Sequence, residues 1–150
     1  MNIVLVKHSE QQTKKYCFSV PDSILPHIHQ GANVICETRR GNNPGCVVSP
    51  VLSGEDAERV TAENGATTPL RNIIAVVKTI DIVGVRIPIW MELHQPHENK
   101  VERRRRELRS YGCVRTKVDI DDEGILLDGY TAYIACKECG MSTIPVAVYA

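Results

Sequence analysis

The stretch Ile125–Val146, ILLDGYTAYIACKECGMSTIPV, shows the clearest change of structural pattern in the chain. Its apolar start predicts a short strand, and Gly129 then opens a predicted helix over Tyr130–Cys139. Gly140 is suited to end that helix, because glycine adopts the left-handed conformation that often follows a helix C-terminus. A last strand is predicted over 142–148. The stretch therefore predicts a strand, a helix and a strand, with glycine at both ends of the helix.

Upstream of this stretch, the sequence predicts the strongest helix of the chain. Residues 98–111 lack Gly and Pro, are rich in Glu and Arg and are followed by Gly112, so we expect a helix from His97 or Glu98 to Tyr111. Its apolar stripe consists of Val101, Leu108 and Tyr111. A strand over 114–120, a turn over 121–124 and a strand over 125–127 follow. Residues 78–89 are predicted to be extended, with a bend at Gly84 and an end at Pro88.

The amino-terminal half predicts β structure. Short β-branched runs alternate with Gly and Pro, which is typical of a small barrel or curled sheet. The predicted strands are 2–7, 15–20, 32–38, 45–49 and 69–77, with turns such as 41–44 between them and a helix from Ser53 or Gly54 to Glu63. We therefore expect an α+β chain in which a small β barrel over 1–78 packs against a second domain over 79–150.

Composition limits the classes of protein that the chain can represent. It has 150 residues, 43% of them hydrophobic and 24% charged, which indicates one compact domain or two very small ones. The longest apolar run, Ile73–Val77, is far shorter than the roughly 18 residues of a membrane span. Because the first residues lack the features of a secretory signal, we expect a cytoplasmic protein with reduced cysteines and no membrane partner.

The net charge is zero, but the charges are unevenly distributed. Between Lys100 and Lys117 there are eight basic and two acidic residues, so an anionic partner is expected along this segment. Pairing with Glu at i, i+4 would make the run a solvated helix face. Four successive arginines cannot all find Glu partners within the helix, so contact with nucleic-acid phosphates or an acidic protein surface is an equally open reading. The candidate binding residues are Arg103, Arg104, Arg105, Arg106, Arg109 and Arg115.

The second half resembles the ParB/sulfiredoxin superfamily over residues 80–148. The resemblance rests on VGVRIPIW (83–90), ERRRRELRSYG (102–112) and the opening stretch. It implies a phosphate-binding turn at Gly129, where the superfamily typically has an Arg three residues later and sulfiredoxins have a catalytic Cys. Ala132 stands at the Arg position, and no Cys precedes Cys136 in this turn. The resemblance therefore implies the fold without the sulfiredoxin nucleophile.

A strand that passes through glycine into a helix also has physical consequences of its own. The first N–H groups of a helix lack internal partners and lie at the positive end of its dipole, and glycine lets a ligand approach the backbone. We therefore expect an anion or nucleotide site at Gly129, Tyr130 and Thr131. Hydroxyl groups would there replace the guanidinium of the superfamily.

The first half is similar to the β domain of the bacterial polymerase-suppressor (PSP-one type) family. The similarity rests on QGANVICETRRGNNPGCVVS (30–49) and TTPLRNIIAVV (67–77). Such domains resemble adaptors more than enzymes. No functional residue is transferred from this family.

Cys136 and Cys139 form the only CxxC motif of the chain. A zinc site would need two further ligands, for which His94 and His97 are candidates beside His27, His29 and Cys113. The alternative is a pair of buried thiols on the packed face of the helix, because free cysteine is among the most buried residue types. A redox pair would require its first Cys at a helix N-terminus. No resident cofactor is expected, with zinc as the alternative.

The sequence leaves two classes of function open. The first is a noncatalytic accessory protein that binds nucleic acid or a nucleotide through the Arg-rich helix and the Gly129 turn. The second is a protein-binding adaptor or inhibitor, such as one that a phage or mobile element encodes against a nucleic-acid-handling partner. A degenerate nucleotide-dependent enzyme is a third and less favoured reading. The chain contains no Walker loop, GxGxxG or Ser/His/Asp motif, so a classical hydrolase or dinucleotide enzyme has no motif to support it.

Overall fold

A computed structural model describes all residues 1–150 and shows a mixed α+β chain, which confirms the predicted fold class. The strands are β1 (Asn2–Lys7), β2 (Tyr16–Ser19), β3 (Asn33–Thr38), β4 (Gly41–Val47), β5 (Leu52–Ser53), β6 (Ile73–Asp81), β7 (Asp119–Ile120), β8 (Leu126–Asp128) and β9 (Thr143–Tyr149). The α-helices are α1 (Gly54–Glu63), α2 (Ile89–Leu93), α3 (Glu98–Tyr111) and α4 (Tyr130–Glu138). None of these helices combines the length and hydropathy that a membrane crossing requires.

The chain folds into two compact units. Unit 1 comprises residues 1–77 together with 148–150, and unit 2 comprises residues 78–147. Strands β6 and β9 each continue from one unit into the other. Unit 1 is therefore discontinuous in sequence.

The sheet of unit 1 has the strand order β2, β1, β4, β3, β6, in which each neighbouring pair is antiparallel. Strand β5 pairs with the start of β1. A single parallel bridge between Ser19 and Asn72 links β2 to the residue that precedes β6. No closed barrel is detected in this pairing, so the predicted barrel stays a prediction.

Alternation along the strands divides the apolar side chains of unit 1 between two clusters. Val4 and Val6 of β1 and Phe18 of β2 belong to the larger one, which contains twelve buried residues. Ile3 and Cys17, which directly precede Val4 and Phe18, pack with Ala57 of α1. Helix α1 therefore covers the opposite face of strands β1 and β2.

Unit 2 is built around helices α3 and α4 and the β7–β8 hairpin. The buried face of α4 consists of Ala132, Ala135 and Cys136. The core cluster of unit 2 consists of Ile82, Val114, Ala132, Cys136, Ile144 and Val146. Helix α3 begins at Glu98 and ends at Tyr111 before Gly112 in the left-handed conformation, as predicted.

The hairpin turn predicted over 41–44 is wrong. Residues 41–44 pair with β3 in register, so the turn consists of Arg39 and Arg40 alone. The hydroxyl of Thr38 donates to Gly41 O (2.7 Å) and accepts from Arg40 N and from Asn43 Nδ2. These hydrogen bonds stabilise a two-residue turn, which lies before the Gly and Pro residues on which the predicted turn was based.

Two predictions for unit 2 are confirmed only in part. The stretch 78–89 bends at Gly84 and ends at Pro88 as predicted, since α2 begins at Ile89, but its first strand, β6, already ends at Asp81, whose Oδ1 accepts the N–H of Val83 (2.9 Å). The strand predicted over 114–120 is reduced to β7 and one isolated bridge of Val114 to Val146. Both changes come from local side-chain hydrogen bonds and tertiary pairing that periodicity does not record.

Candidate functional site

Two of the four successive arginines on α3 are used inside unit 2. Arg104 Nη1 lies 2.6 Å from Glu107 Oε1, and these side chains are only 14% and 10% exposed. Arg105 donates to Glu138 on α4 (2.6 Å) and also pairs with Glu98 and Glu102. These ion pairs attach α3 to α4 and stabilise the helix, so Arg104 and Arg105 are not available to a partner.

The other basic residues predicted to bind a partner differ in how much they are engaged. Arg109 Nη2 lies 2.9 Å from Glu102, and Arg106 Nε lies 3.9 Å from the same carboxylate. The guanidinium of Arg115 lies 5.4 Å from the ring centre of Tyr111. Arg103 is exposed and forms no salt bridge. Three of the four successive arginines therefore have a carboxylate partner and Arg103 has none, which agrees with the expectation that not all four can be paired.

We expect Glu102 to titrate below the usual pH range of a glutamate. Hydrogen bonds from Arg109 and Arg105 lower the pKa of this carboxyl. Its pairing therefore stabilises the fold at neutral pH, and that stabilisation is lost as the pH falls through the lowered pKa. Carboxyl NMR titration measures the pKa directly, and Arg109→Gln should raise it. A Glu102 pKa that is unchanged in Arg109→Gln would contradict the pairing.

The turn at Gly129 is filled by the chain itself. Gly129 is buried with φ +93°, and a Cβ placed on it would lie 2.8 Å from the carbonyl oxygen of Lys117 and 2.9 Å from Val118 Cα. Its N–H donates to Asp128 Oδ1 (2.8 Å), and the hydroxyl of Tyr130 accepts from Gln95 (2.9 Å). The anion site predicted at Gly129, Tyr130 and Thr131 therefore gains no support, because a ligand has no room beside the glycine.

The two cysteines of the CxxC motif lie in different environments. Cys136 is fully buried in α4, and burial raises the pKa of its thiol to about 11, with a further contribution from Cys139. Cys139 is exposed at the C-terminal cap of α4, so the buried-thiol prediction holds for Cys136 and is wrong for Cys139. No three His, Cys, Asp or Glu side chains are grouped as metal ligands, and His94 Nδ1 donates to Trp90 O (2.8 Å).

A large cavity lies in unit 1, in a region for which the sequence predicted no site. It has a volume of about 990 Å³ and is bounded by three segments of the chain. One wall comes from β1 and β2, the second from the β3–β4 hairpin and the third from the loop 64–71. We call it the cationic groove, after its charged lining residues Lys14, Arg39, Arg40 and Arg71, which face a single carboxylate, Glu37.

The hairpin wall holds Arg39 and Arg40 at its tip. Because these two residues form the whole turn, both side chains lie where the hairpin reverses. The Thr38 hydroxyl bonds described above fix the backbone beneath them. Both residues are exposed.

The loop wall is attached to β2 at both ends. The Asn64 side chain donates to the carbonyl oxygen of Lys15 (2.8 Å), and Ser19 N donates to the carbonyl oxygen of Arg71 (2.9 Å). These bonds fix the ends of the loop that carries the exposed Arg71, which lines the groove. The loop that bounds the groove is therefore held by hydrogen bonds at both of its ends.

Aromatic rings line the part of the groove formed by β1 and β2. The His8 ring lies 5.6 Å from that of Tyr16 and 5.8 Å from that of Phe18, and His8 Nδ1 donates to Pro44 O (2.8 Å). Gly45 makes this arrangement possible, because a Cβ there would lie 2.5 Å from Val6 Cγ1 and 3.3 Å from His8 Nδ1. The rings are therefore held together beside the cations.

The cations of the groove differ from most of those of α3 in having no carboxylate partners. None of Lys14, Arg39, Arg40 and Arg71 forms a salt bridge, and Lys14 instead places Nζ 4.9 Å from the ring centre of Tyr16. With His8 neutral, the charged residues of the lining give a net charge of +3 in a chain whose total is zero. The groove is thus the strongest candidate for an anionic ligand.

The sequence conceals this site because its cations come from three separate segments with at most two each. The available signals are the Arg39-Arg40 pair at a hairpin and the alternation of Tyr16 and Phe18 after Lys14. No family model, curated protein or solved structure matches this chain. The functional argument therefore depends on the geometry alone.

Proposed function

We propose that this chain is a binding protein for nucleic acid and that the cationic groove of unit 1 is its binding site. The observation that supports the proposal most is the set of four exposed cations without carboxylate partners beside a cluster of aromatic rings. Lys and Arg contact phosphates, and aromatic side chains stack on bases. This combination of residues suits a ligand that has both groups.

A polymer suits the groove better than a single nucleotide. The cations lie on three different segments of chain, so they offer several phosphate contacts around the rim. The volume of about 990 Å³ lies at the upper end of the roughly 300–1,000 Å³ typical of small-ligand pockets. We infer that successive nucleotides occupy the groove and contact its cations in turn.

The proposed role is noncatalytic, and the fold of unit 1 is part of the proposal. The bridge between Ser19 and Asn72 joins β2, at one end of the strand order, to the residue that precedes β6, which supports a small barrel. The ParB/sulfiredoxin-like nature of unit 2 also remains a proposal. It is supported by its order of strand, Arg-rich helix, hairpin, helix and strand.

A protein-binding adaptor is the second candidate function. Helix α2 exposes Ile89, Trp90 and Leu93, which are 72%, 58% and 73% accessible, and buries only Met91. Exposed apolar side chains grouped on one short helix favour contact with another protein. This candidate leads if the chain binds no nucleic acid.

We expect nucleic-acid binding to be salt-dependent and to require the groove. Four phosphate contacts at about 0.7–0.9 released counterions each predict that affinity falls roughly 50- to 150-fold between 50 and 200 mM salt. In the triple variant Arg39→Gln, Arg40→Gln, Arg71→Gln, one contact remains, and the same change of salt should lower the affinity only about three- to fourfold. Fluorescence anisotropy with a labelled oligonucleotide measures both slopes.

The matched control removes three arginines from α3 instead, as Arg103→Gln, Arg106→Gln and Arg109→Gln. Both variants lose the same charge from exposed side chains, so any general electrostatic effect is equal in the two. We expect the control to keep the wild-type salt slope. A control that loses as much affinity as the groove variant would contradict the groove as the site, and absence of binding at 50 mM salt would contradict the function.

A further inference from the structure

Building on the proposed function, we propose that the cationic groove takes single-stranded nucleic acid and that Tyr16 stacks on one unpaired base. The Tyr16 ring lines the groove and is partly buried, and it packs against the core cluster that contains Phe18. It therefore lies at the border between the fixed interior of unit 1 and the solvent. A ring in this position offers a flat apolar surface without having to become ordered on binding.

The surroundings of Tyr16 fix its orientation. His8 contacts both aromatic residues of β2 and is itself held by its hydrogen bond to Pro44 O. Gly45 leaves the space in which the imidazole lies. The ring of Tyr16 is thus supported by groups whose positions are determined by strand pairing and side-chain hydrogen bonding.

The exposed face of the Tyr16 ring is covered by the ammonium group of Lys14, which a ligand can displace. Lys14 is exposed and precedes β2, and its ammonium lies over the Tyr16 ring. A cation–π contact at an exposed site contributes less than the stacking of a base on an aromatic side chain. A base therefore displaces Lys14, and the freed ammonium is then close to the phosphates of the same strand.

Stacking on Tyr16 distinguishes a single strand from a duplex. In a duplex both faces of each base are already covered by neighbouring base pairs, whereas an unpaired base can place one face on a protein ring. A duplex has the higher charge density, so electrostatic attraction alone predicts tighter binding of the duplex. Preference for the single strand is thus a signature of stacking.

The test compares three labelled probes by fluorescence anisotropy. They are a 12-nucleotide oligothymidylate, an abasic strand of the same length and a 12-base-pair duplex. We expect the wild-type protein to bind the oligothymidylate about tenfold or more tighter than the abasic strand, which corresponds to the lower part of the range measured for one stacked base. We also expect it to prefer the oligothymidylate over the duplex.

Variants of Tyr16 assign that difference to the ring. Tyr16→Leu keeps apolar volume but has no aromatic face, so it should bind the oligothymidylate and the abasic strand equally. Tyr16→Phe keeps the ring and should keep the wild-type preference. Thermal melting of each variant shows whether it is folded, and the probe comparison in the wild-type protein needs no variant.

The possible results distinguish a failure of base stacking on Tyr16 from a failure of nucleic-acid binding itself. Equal wild-type affinity for the oligothymidylate and the abasic strand, or tighter binding of the duplex, would overturn the stacking of a base on Tyr16 while leaving nucleic-acid binding intact. A preference that persists in folded Tyr16→Leu would place the stacked base elsewhere and overturn the role of Tyr16. If no probe binds at low salt, the proposed function fails together with the inference.

Discussion

Replacing Gly129 with alanine should lower the free energy of unfolding by about 2–5 kcal/mol. A left-handed backbone costs a residue with a Cβ about 1–2 kcal/mol, and forcing an atom into packed structure costs about 1–3 kcal/mol more. Both penalties apply, because φ is +93° and the new Cβ would lie within 3 Å of three atoms of Lys117 and Val118. Two of these atoms belong to the backbone, which cannot move aside as a flexible side chain can.

Gly112→Ala is the matched control for this prediction. Gly112 also has a positive φ, +71°, but a Cβ added there would meet no atom within 4 Å. The free energy of unfolding of Gly112→Ala should therefore fall only by the cost of a left-handed backbone, about 1–2 kcal/mol. Urea denaturation of both variants measures the difference. Equal losses would contradict the close packing at Gly129, and a stable Gly129→Ala protein that lost affinity for nucleotides would restore the predicted anion site.

Gly45→Val is expected to destabilise the chain by about 3 kcal/mol, at the upper end of the usual range for overpacking. The β propensity of valine alone predicts the opposite sign, because glycine inside a strand is unfavourable. The structure favours the destabilising effect of overpacking over the stabilising effect of β propensity. A Cβ at Gly45 would lie 2.5 Å from Val6 Cγ1, and Val6 is fully buried in the core. His8 must also move, which disturbs the aromatic side of the groove.

Asn42→Val on the same strand provides the comparison for Gly45→Val. Asn42 is exposed and pairs with Glu37 in the β3–β4 ladder, so its replacement should change stability by no more than about 0.5 kcal/mol. Urea denaturation of the two variants, together with oligonucleotide affinity, tests both consequences. A Gly45→Val protein as stable as Asn42→Val would show that β1 and β4 are not packed as closely as the structure has them.

Local signals predicted helices α3 and α4 and the first strand well, but not the short helix α2. Helix α3 begins at one of the two predicted residues and ends at Tyr111, and β1 covers Asn2–Lys7 as expected. In α3, an uninterrupted run of helix formers is followed directly by glycine, which fixes the C-terminus within a few residues. The sequence also predicted the buried stripe of Val101, Leu108 and Tyr111, which are buried or partly buried.

The interactions that decide the candidate site are not local. Arg105 pairs with Glu138 across 33 residues, so nothing in the helix sequence indicates that this arginine is engaged. The groove joins residues near positions 14, 40 and 71, none of which forms a recognisable motif in its own segment. Periodicity and motif spacing report on neighbours along the chain, whereas strand pairing brings these positions together.

The discontinuity of unit 1 affects how the protein can fold during translation. Val148 packs against the larger core cluster, and Ala150 N donates to the carbonyl oxygen of Ile74 (2.9 Å). These contacts come from residues that the ribosome adds only after all of unit 2. Domains generally fold as they emerge, amino terminus first, but here the first unit to emerge is also the last to gain its full set of contacts.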